Sequence, residues 1–161
     1  MPPKKLFKVV ITAIVARGDR YLVIQLPADH KKFPGEWSIP GGKLTTEDYI
    51  HLPKDTAHYW YNVLEQALRR EVKEEAGIEI KNIRYITSLA DAREDDDPSI
   101  VISCLADYAS GEVVLEGGMQ GYRWVTLEEA GAMTLIDGIY DELKIADFVC
   151  RGGTPSEWQQ S

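Results

Sequence analysis

The sequence predicts an α/β fold, a mixed β-sheet carrying helices on its faces, and three observations lead there. Runs rich in Val, Ile and Tyr stand both before and after one long segment of helical periodicity, the order expected when helices cover a sheet. A chain of 161 residues suffices for one core and is too short for two well-cored ones. Hydrophobic residues make up 44% and charged residues 27%, close to ordinary globular domains, which excludes wholesale disorder, collagen-like repeats and coiled coils. Residues 1–150 are therefore read as one domain and 151–161, with Gly152, Gly153 and Pro155, as a flexible C-terminal tail to which Trp158 offers a docking group.

The elements follow in order. Residues 6–16 hold Val9, Val10, Ile11, Ile14 and Val15, a buried-strand composition ending at Arg17-Gly18-Asp19, and residues 21–26 resume it as a hairpin would. A polar loop over 27–36 contains the turn pair Pro34-Gly35; Trp37-Ser38-Ile39 is a short strand stopped by Pro40-Gly41-Gly42. Residues 45–58 are polar and aperiodic. A helix is expected over 57–76, with Gly77 as its stop. Strands are expected over 78–89 and 100–108, separated by an acidic loop, and shorter pieces at 113–115 and 122–125. Thr126 with Glu129 has capping-box spacing for a short helix, and 137–149 suits a final one.

Charge and cysteine content narrow the function classes. Eighteen Lys and Arg stand against 26 Asp and Glu, a net −8 that disfavours the backbone of long nucleic acids as a partner. Small phosphorylated ligands remain compatible, because a cation held by carboxylates inverts the local field. Cys104 and Cys150 lack zinc or disulfide-framework spacing and read as idle thiols. No apolar run reaches the roughly 18 residues of a membrane span, and no signal-peptide pattern opens the chain, so no membrane partner and a cytoplasmic location are expected.

The central helix carries the chemistry. At about 100° per residue, Trp60, Tyr61, Leu64, Ala67, Leu68 and Val72 share one face, with Asn62, Gln66, Arg69, Arg70 and Lys73 opposite. Glu71 and Glu75, at i and i+4, fall within the apolar stripe, and Glu74 flanks it. Unpaired buried carboxylates cost several kcal/mol, so a counter-cation is expected beside them. Partly hydrated Mg²⁺ suits oxygen ligands completed by phosphate. A helix end that emerges from the core and leaves these groups solvated is the alternative.

The text Arg70-Glu71-Val72-Lys73-Glu74-Glu75-Ala76-Gly77-Ile78, with Gly42 upstream, resembles the signature of the Nudix hydrolases: Gly, five residues, Glu, seven residues, then Arg-Glu-aliphatic-any-Glu-Glu-any-Gly-aliphatic. The second half agrees at each specified position. Residues 35–43 and the Tyr122-Arg123-Trp124-Val125 strand also resemble the family. One departure stands out: Gly42 and Arg70 lie 28 positions apart where the pattern has 14, so 14 extra residues interrupt it. Counting from Gly42, the place of the first Glu falls on Asp48; counting back from Arg70, on Asn62. The resemblance implies that this missing Glu pairs with the Arg, a duty for which Asp48 or Glu47 is the substitute if the extra segment loops out and returns.

The resemblance further implies an α/β/α sandwich and a Mg²⁺-dependent (or Mn²⁺-dependent) hydrolase of nucleoside diphosphate-linked compounds, of the MutT kind acting on nucleoside triphosphates. ADP-ribose, another dinucleotide or a nucleotide sugar is the alternative substrate, and a non-catalytic nucleotide-sensing module the alternative class. Glu71, Glu74 and Glu75 would be metal ligands together with the Gly41 carbonyl, Arg70 a supporting catalytic residue, and Glu116 a loop base or accessory ligand. Gly42 and Lys43 would border the substrate, and Lys31 and Lys32 would reach distal phosphates. Phe33, Tyr59 or Trp60 could stack on a base, although Trp60 and Tyr61 read as core. Asp95, Asp96 and Asp97 read as a solvated charge run. The segment 45–58 would form a rim over the site or a contact in a homodimer.

Overall fold

The computed structural model describes Pro3 and residues 6–92 and 97–161; Asp95 and Asp96 lie outside the described residues. In chain order the elements are β1 (Lys8–Arg17), β2 (Arg20–Gln25), β3 (Trp37–Ser38), β4 (Gly41–Lys43), a 3-10 turn (Thr46–Asp48), α1 (Val63–Ala76), β5 (Glu79–Asp91), β6 (Ser99–Ser110), β7 (Gly121–Val125), α2 (Leu127–Ala130) and α3 (Ile139–Cys150). The strands join in one mixed sheet ordered β3-β2-β1-β6-β5, with β4 added to β1 and β7 to β2. β1 runs parallel to β6, pairing Ile11 with Ile102, and the remaining pairs are antiparallel.

Alternation along β1 splits the core in two. Ile11, Ala13 and Val15 face α1, where they meet the buried Ala67, Leu68, Val72 and Ala76; Ile14 and Ala16 face α3 and its buried Leu143 and Ala146. A fully buried Leu or Ile contributes about 1.5–3 kcal/mol by leaving water. These two faces therefore hold α1 and α3 on opposite sides of the sheet.

The free margin of β1 serves two strands. β2 pairs with it only at Ala16 and Arg17, whereas β4 pairs with Val10–Thr12. Pro40 continues that pairing, its carbonyl accepting from the Ala13 N–H (2.8 Å), and the Leu44 N–H donates to the Val9 carbonyl (2.8 Å). β2 meanwhile diverges to pair with β3 and β7. The divergence opens space beside Gly41 and Gly42.

Several expectations need correction. Gly41-Gly42 is strand rather than turn, because the margin of β1 supplies hydrogen bonds that a local reading cannot anticipate. The helix begins at Val63, not 57. Asn62 sits in the left-handed region (φ 58°), the Trp60 indole donates to the Leu52 carbonyl (2.8 Å), and the Tyr61 N–H donates to Asp55 (2.8 Å). These side-chain bonds compete with helical ones. Tyr61 is accordingly 58% exposed, not core, and Trp60 packs on Tyr49 within the extra segment. Residues 113–115 form no strand. Their backbone instead satisfies the end of α1, Val114 N–H donating to the Ala76 carbonyl (2.9 Å) and Glu116 N–H to the Glu75 carbonyl (3.2 Å).

Other signals read as expected. Gly77 ends α1 with φ 73° and donates to the Lys73 carbonyl. The Thr126 hydroxyl accepts from the Glu129 N–H (3.1 Å) at the start of α2. Thr126→Ala is expected to cost about 1 kcal/mol, readable as a lower urea midpoint at unchanged m-value. Cys104 is buried and Cys150 exposed, both as free thiols. No helix among the described residues is long and apolar enough to cross a membrane. Where a flexible tail is expected over 151–161, the segment instead lies along α3, with Trp158 as the docking group: the Trp158 indole donates to the Gly138 carbonyl (3.2 Å) and the Ser161 N–H to Asp141 (3.1 Å).

Candidate active site

α1 delivers its carboxylates to the strand that carries the two glycines. The Gly41 N–H donates to Glu75 (3.1 Å), and Gly42 lies against Glu71, so closely that a Cβ built on it would fall on the Glu71 carboxylate. A Cβ on Gly41 would instead strike the backbone of Ile11 and Thr12. Both positions thus require glycine for close approach, one for a side chain and the other for β1 itself.

Arg70 organises the acids around it. Its Nε donates to Asp48 (2.5 Å), Nη1 to Glu74 (2.9 Å), and Nη2 pairs with Glu71 (2.9 Å). The other Asp48 oxygen accepts from the Thr45 N–H (2.8 Å), so this carboxylate is fixed at both oxygens and its side chain is only 5% exposed. The first half of the signature is therefore counted correctly from Gly42. The extra residues come after Asp48, and the chain returns through Asn62 to restore the clasp.

Burial raises the Asp48 pKa, but the Thr45 N–H and Arg70 prevail and hold the carboxyl below its usual range. Glu71 is raised by burial against the pull of Arg70. Glu75 is pushed up to about 7, chiefly by burial, with repulsion from Glu71 and Glu74 adding to it and the Gly41 N–H opposing. A raised carboxyl destabilises the charged folded state. In chelator-treated protein, stability should therefore fall between pH 4.5, the ordinary glutamate value, and about 7, by roughly 3 kcal/mol. Urea titrations at pH 5 and pH 8 should show this loss in the parent and a clearly smaller one, from Glu71, in Glu75→Gln.

Two clefts meet here. One, of about 690 Å³, is lined by Gly41, Gly42, Lys43, Asp48, Arg70, Glu71 and Glu75 among others. The second, of about 300 Å³ and more apolar, shares Gly41, Gly42, Lys43 and Glu75 and extends between the diverging β1 and β2 to Leu26, Phe33 and Met119. His30 stacks on Phe33 at its edge (6.3 Å). An anionic, cation-seeking end thus adjoins an apolar one.

The residues singled out by sequence divide accordingly. Gly41, Gly42, Lys43, Arg70, Glu71 and Glu75 line the larger cleft. Glu74 turns outward onto Arg70, its side chain 59% exposed. Glu116 stands with Lys73 and Glu74 beside a separate shallow cleft at the end of α1. Lys31 is exposed and Lys32 pairs with Asp91 (3.5 Å); neither lines the two joined clefts. His30, Leu26 and Met119 were missed, since only the divergence of β1 and β2 brings them together.

Among the described residues, no three His, Cys, Asp or Glu side chains are gathered closely enough to cage an ion unaided. The donor set nevertheless fits a hard divalent cation that keeps water and takes phosphate oxygens: two carboxylates, both pushed toward protonation by burial, border one open cleft.

The family profile described as the NUDIX domain matches residues 6–144. The nucleoside triphosphatase NudI of Enterobacter sp. is 26% identical over 140 residues, covering 80% of this chain and 88% of that one. The NAD-capped RNA hydrolase NudC of Klebsiella pneumoniae is 47% identical over 53 residues, which are 33% of this chain and 20% of that one; the chain thus spans about a fifth of this relative. Among solved structures, the MutT Nudix hydrolase of Burkholderia pseudomallei aligns with a TM-score of 0.65 at 22% identity, covering 87% of this chain and 98% of that one. That likeness supports the fold.

Proposed function

The chain belongs to the Nudix hydrolase family, and from that premise we propose that it is a divalent-metal-dependent pyrophosphohydrolase acting on nucleoside triphosphates. The observation that carries this reading is the junction of the two clefts: Gly41, Gly42, Lys43 and Glu75 border both, so one molecule can lay phosphates against the acids and a base among apolar side chains. The NudI match spans most of both chains, whereas NudC of Haemophilus influenzae, 34% identical over 74% of this chain, is itself covered only to 39%; that correspondence in length supports triphosphates over the NudC type of substrate.

Each residue then has a task. Glu71 and Glu75 would hold the cation, Mg²⁺ or Mn²⁺, which when bound neutralises the phosphoanhydride oxygens and lowers the pKa of water. Arg70, clasped by Asp48, keeps Glu71 from turning away. One Glu71 oxygen pairs with Arg70, which leaves the other to hold the cation. Lys43 borders the phosphates as a point charge. Phe33, backed by His30, and Met119 contact the base.

The test is a panel of nucleoside triphosphates, ADP-ribose and dinucleotides assayed with Mg²⁺ for pyrophosphate, phosphate and nucleoside monophosphate. Triphosphates should yield monophosphate and pyrophosphate, and Glu116→Gln should act within a fewfold of the parent. ADP-ribose cleaved faster than every triphosphate would reject the substrate class. Nucleotide binding without turnover would reject the enzyme.

A further inference from the structure

On the other face of the sheet, between β5, the start of α3 and the C-terminal segment, lies a second cavity of about 320 Å³. Glu142 lines it. That residue is only 5% exposed, and its Oε1 has no hydrogen-bond partner among the described residues; burial raises its pKa, and the neighbouring Ser103 hydroxyl, itself fully buried, opposes that rise. Buried polar groups are normally paired, and a carboxylate oxygen left without a donor is among the costlier exceptions. Nothing in the proposed hydrolysis uses Glu142, which stands on α3 while the catalytic acids stand on α1.

The remaining lining indicates what would complete it. Asp137 adds a second acid, Thr87, Ser88 and Gln160 add neutral polar groups, and Trp158 adds an aromatic wall, while among the described residues no Lys or Arg lines the cavity. Two carboxyl groups and an indole favour a compact positive charge with N–H donors, through charge-assisted hydrogen bonds and attraction to the ring. The volume is at the lower end of the range for small-molecule sites, which limits the occupant to a small molecule or a single side chain. Trp158 and Gln160 come from the C-terminal segment, which the Trp158–Gly138 and Ser161–Asp141 hydrogen bonds hold against α3.

We propose that this cavity is a second ligand site, separate from the hydrolytic cleft, that takes an alkylammonium group, with Glu142 as its anionic anchor and Trp158 as its wall. The ammonium belongs either to a free small amine or to a lysine side chain of a peptide; the chemistry is the same.

Titration of the full chain with n-butylammonium chloride, followed by ¹H–¹⁵N NMR at constant ionic strength, tests this directly. The Trp158 indole N–H, assigned through Trp158→Phe, and the Gly138 amide should shift and saturate. Glu142→Gln should weaken that binding at least tenfold, Trp158→Phe severalfold, and Glu75→Gln not at all. Sodium butyrate should produce no saturating shift. An acetylated, amidated Gly-Lys-Gly peptide distinguishes the sources: tighter binding than n-butylammonium identifies a polypeptide lysine, weaker binding a free amine. Shifts that fail to saturate, that persist unchanged in Glu142→Gln, or that butyrate reproduces overturn the proposal. Because the readout is binding at α3, its failure leaves the hydrolase reading intact, and loss of hydrolysis leaves this one intact.

Discussion

Glu75→Gln is expected to lower kcat for the preferred triphosphate by about a hundred- to a thousandfold, the scale seen when one electrostatic stabiliser of a phosphoryl or acyl transition state is removed. The same change should leave the fold intact and, above pH 7, make it more stable. Gln still offers an oxygen to the Gly41 N–H but brings no buried charge and no repulsion against Glu71 and Glu74. Opposite signs in the two measurements, turnover down and melting temperature up at pH 8, distinguish a group kept for chemistry from one kept for packing. A parent-like kcat would remove Glu75 from the mechanism.

Gly42→Ala is the second change with a large effect, and comparison with Gly41→Ala gives it meaning. At Gly42 the added methyl meets only the end of the Glu71 side chain, which can swing away. Stability should change by less than about 1 kcal/mol, while kcat falls a hundredfold or more because the displaced carboxylate no longer borders the cleft. At Gly41 the methyl meets the Ile11 carbonyl and the Thr12 Cα, which cannot move without shifting β1. There the loss should appear as about 1–3 kcal/mol or more of stability. Urea titration with kinetics on both variants separates the two; a Gly42→Ala enzyme of normal kcat would mean that Glu71 is not needed where it stands.

The catalytic half of α1 was legible because helical period is a local property: Glu71 and Glu75 could be placed inside an apolar stripe by counting alone. Asp48 was legible only as one of two candidates, with Glu47, once the resembled signature was counted from Gly42. What lay beyond counting was decided by distant partners. Gly41 and Gly42 look like turn residues until the margin of β1 pairs with them. The aromatic run before Asn62 has helical spacing but is diverted by Asp55 and Leu52. His30, Leu26 and Met119 become neighbours only because β2 leaves β1 after two residue pairs.

The Asp48–Arg70 clasp has a consequence for how the chain tolerates change. It closes a ring whose contents, residues 49–62, hang outside the hydrolytic machinery, so their length is free to vary while both anchor points hold. Each doubling of such a loop costs only about 0.6 kcal/mol in closure entropy. The clasp thus makes residues 49–62 a natural graft point, where a foreign peptide could be spliced in and displayed at the rim of a working enzyme.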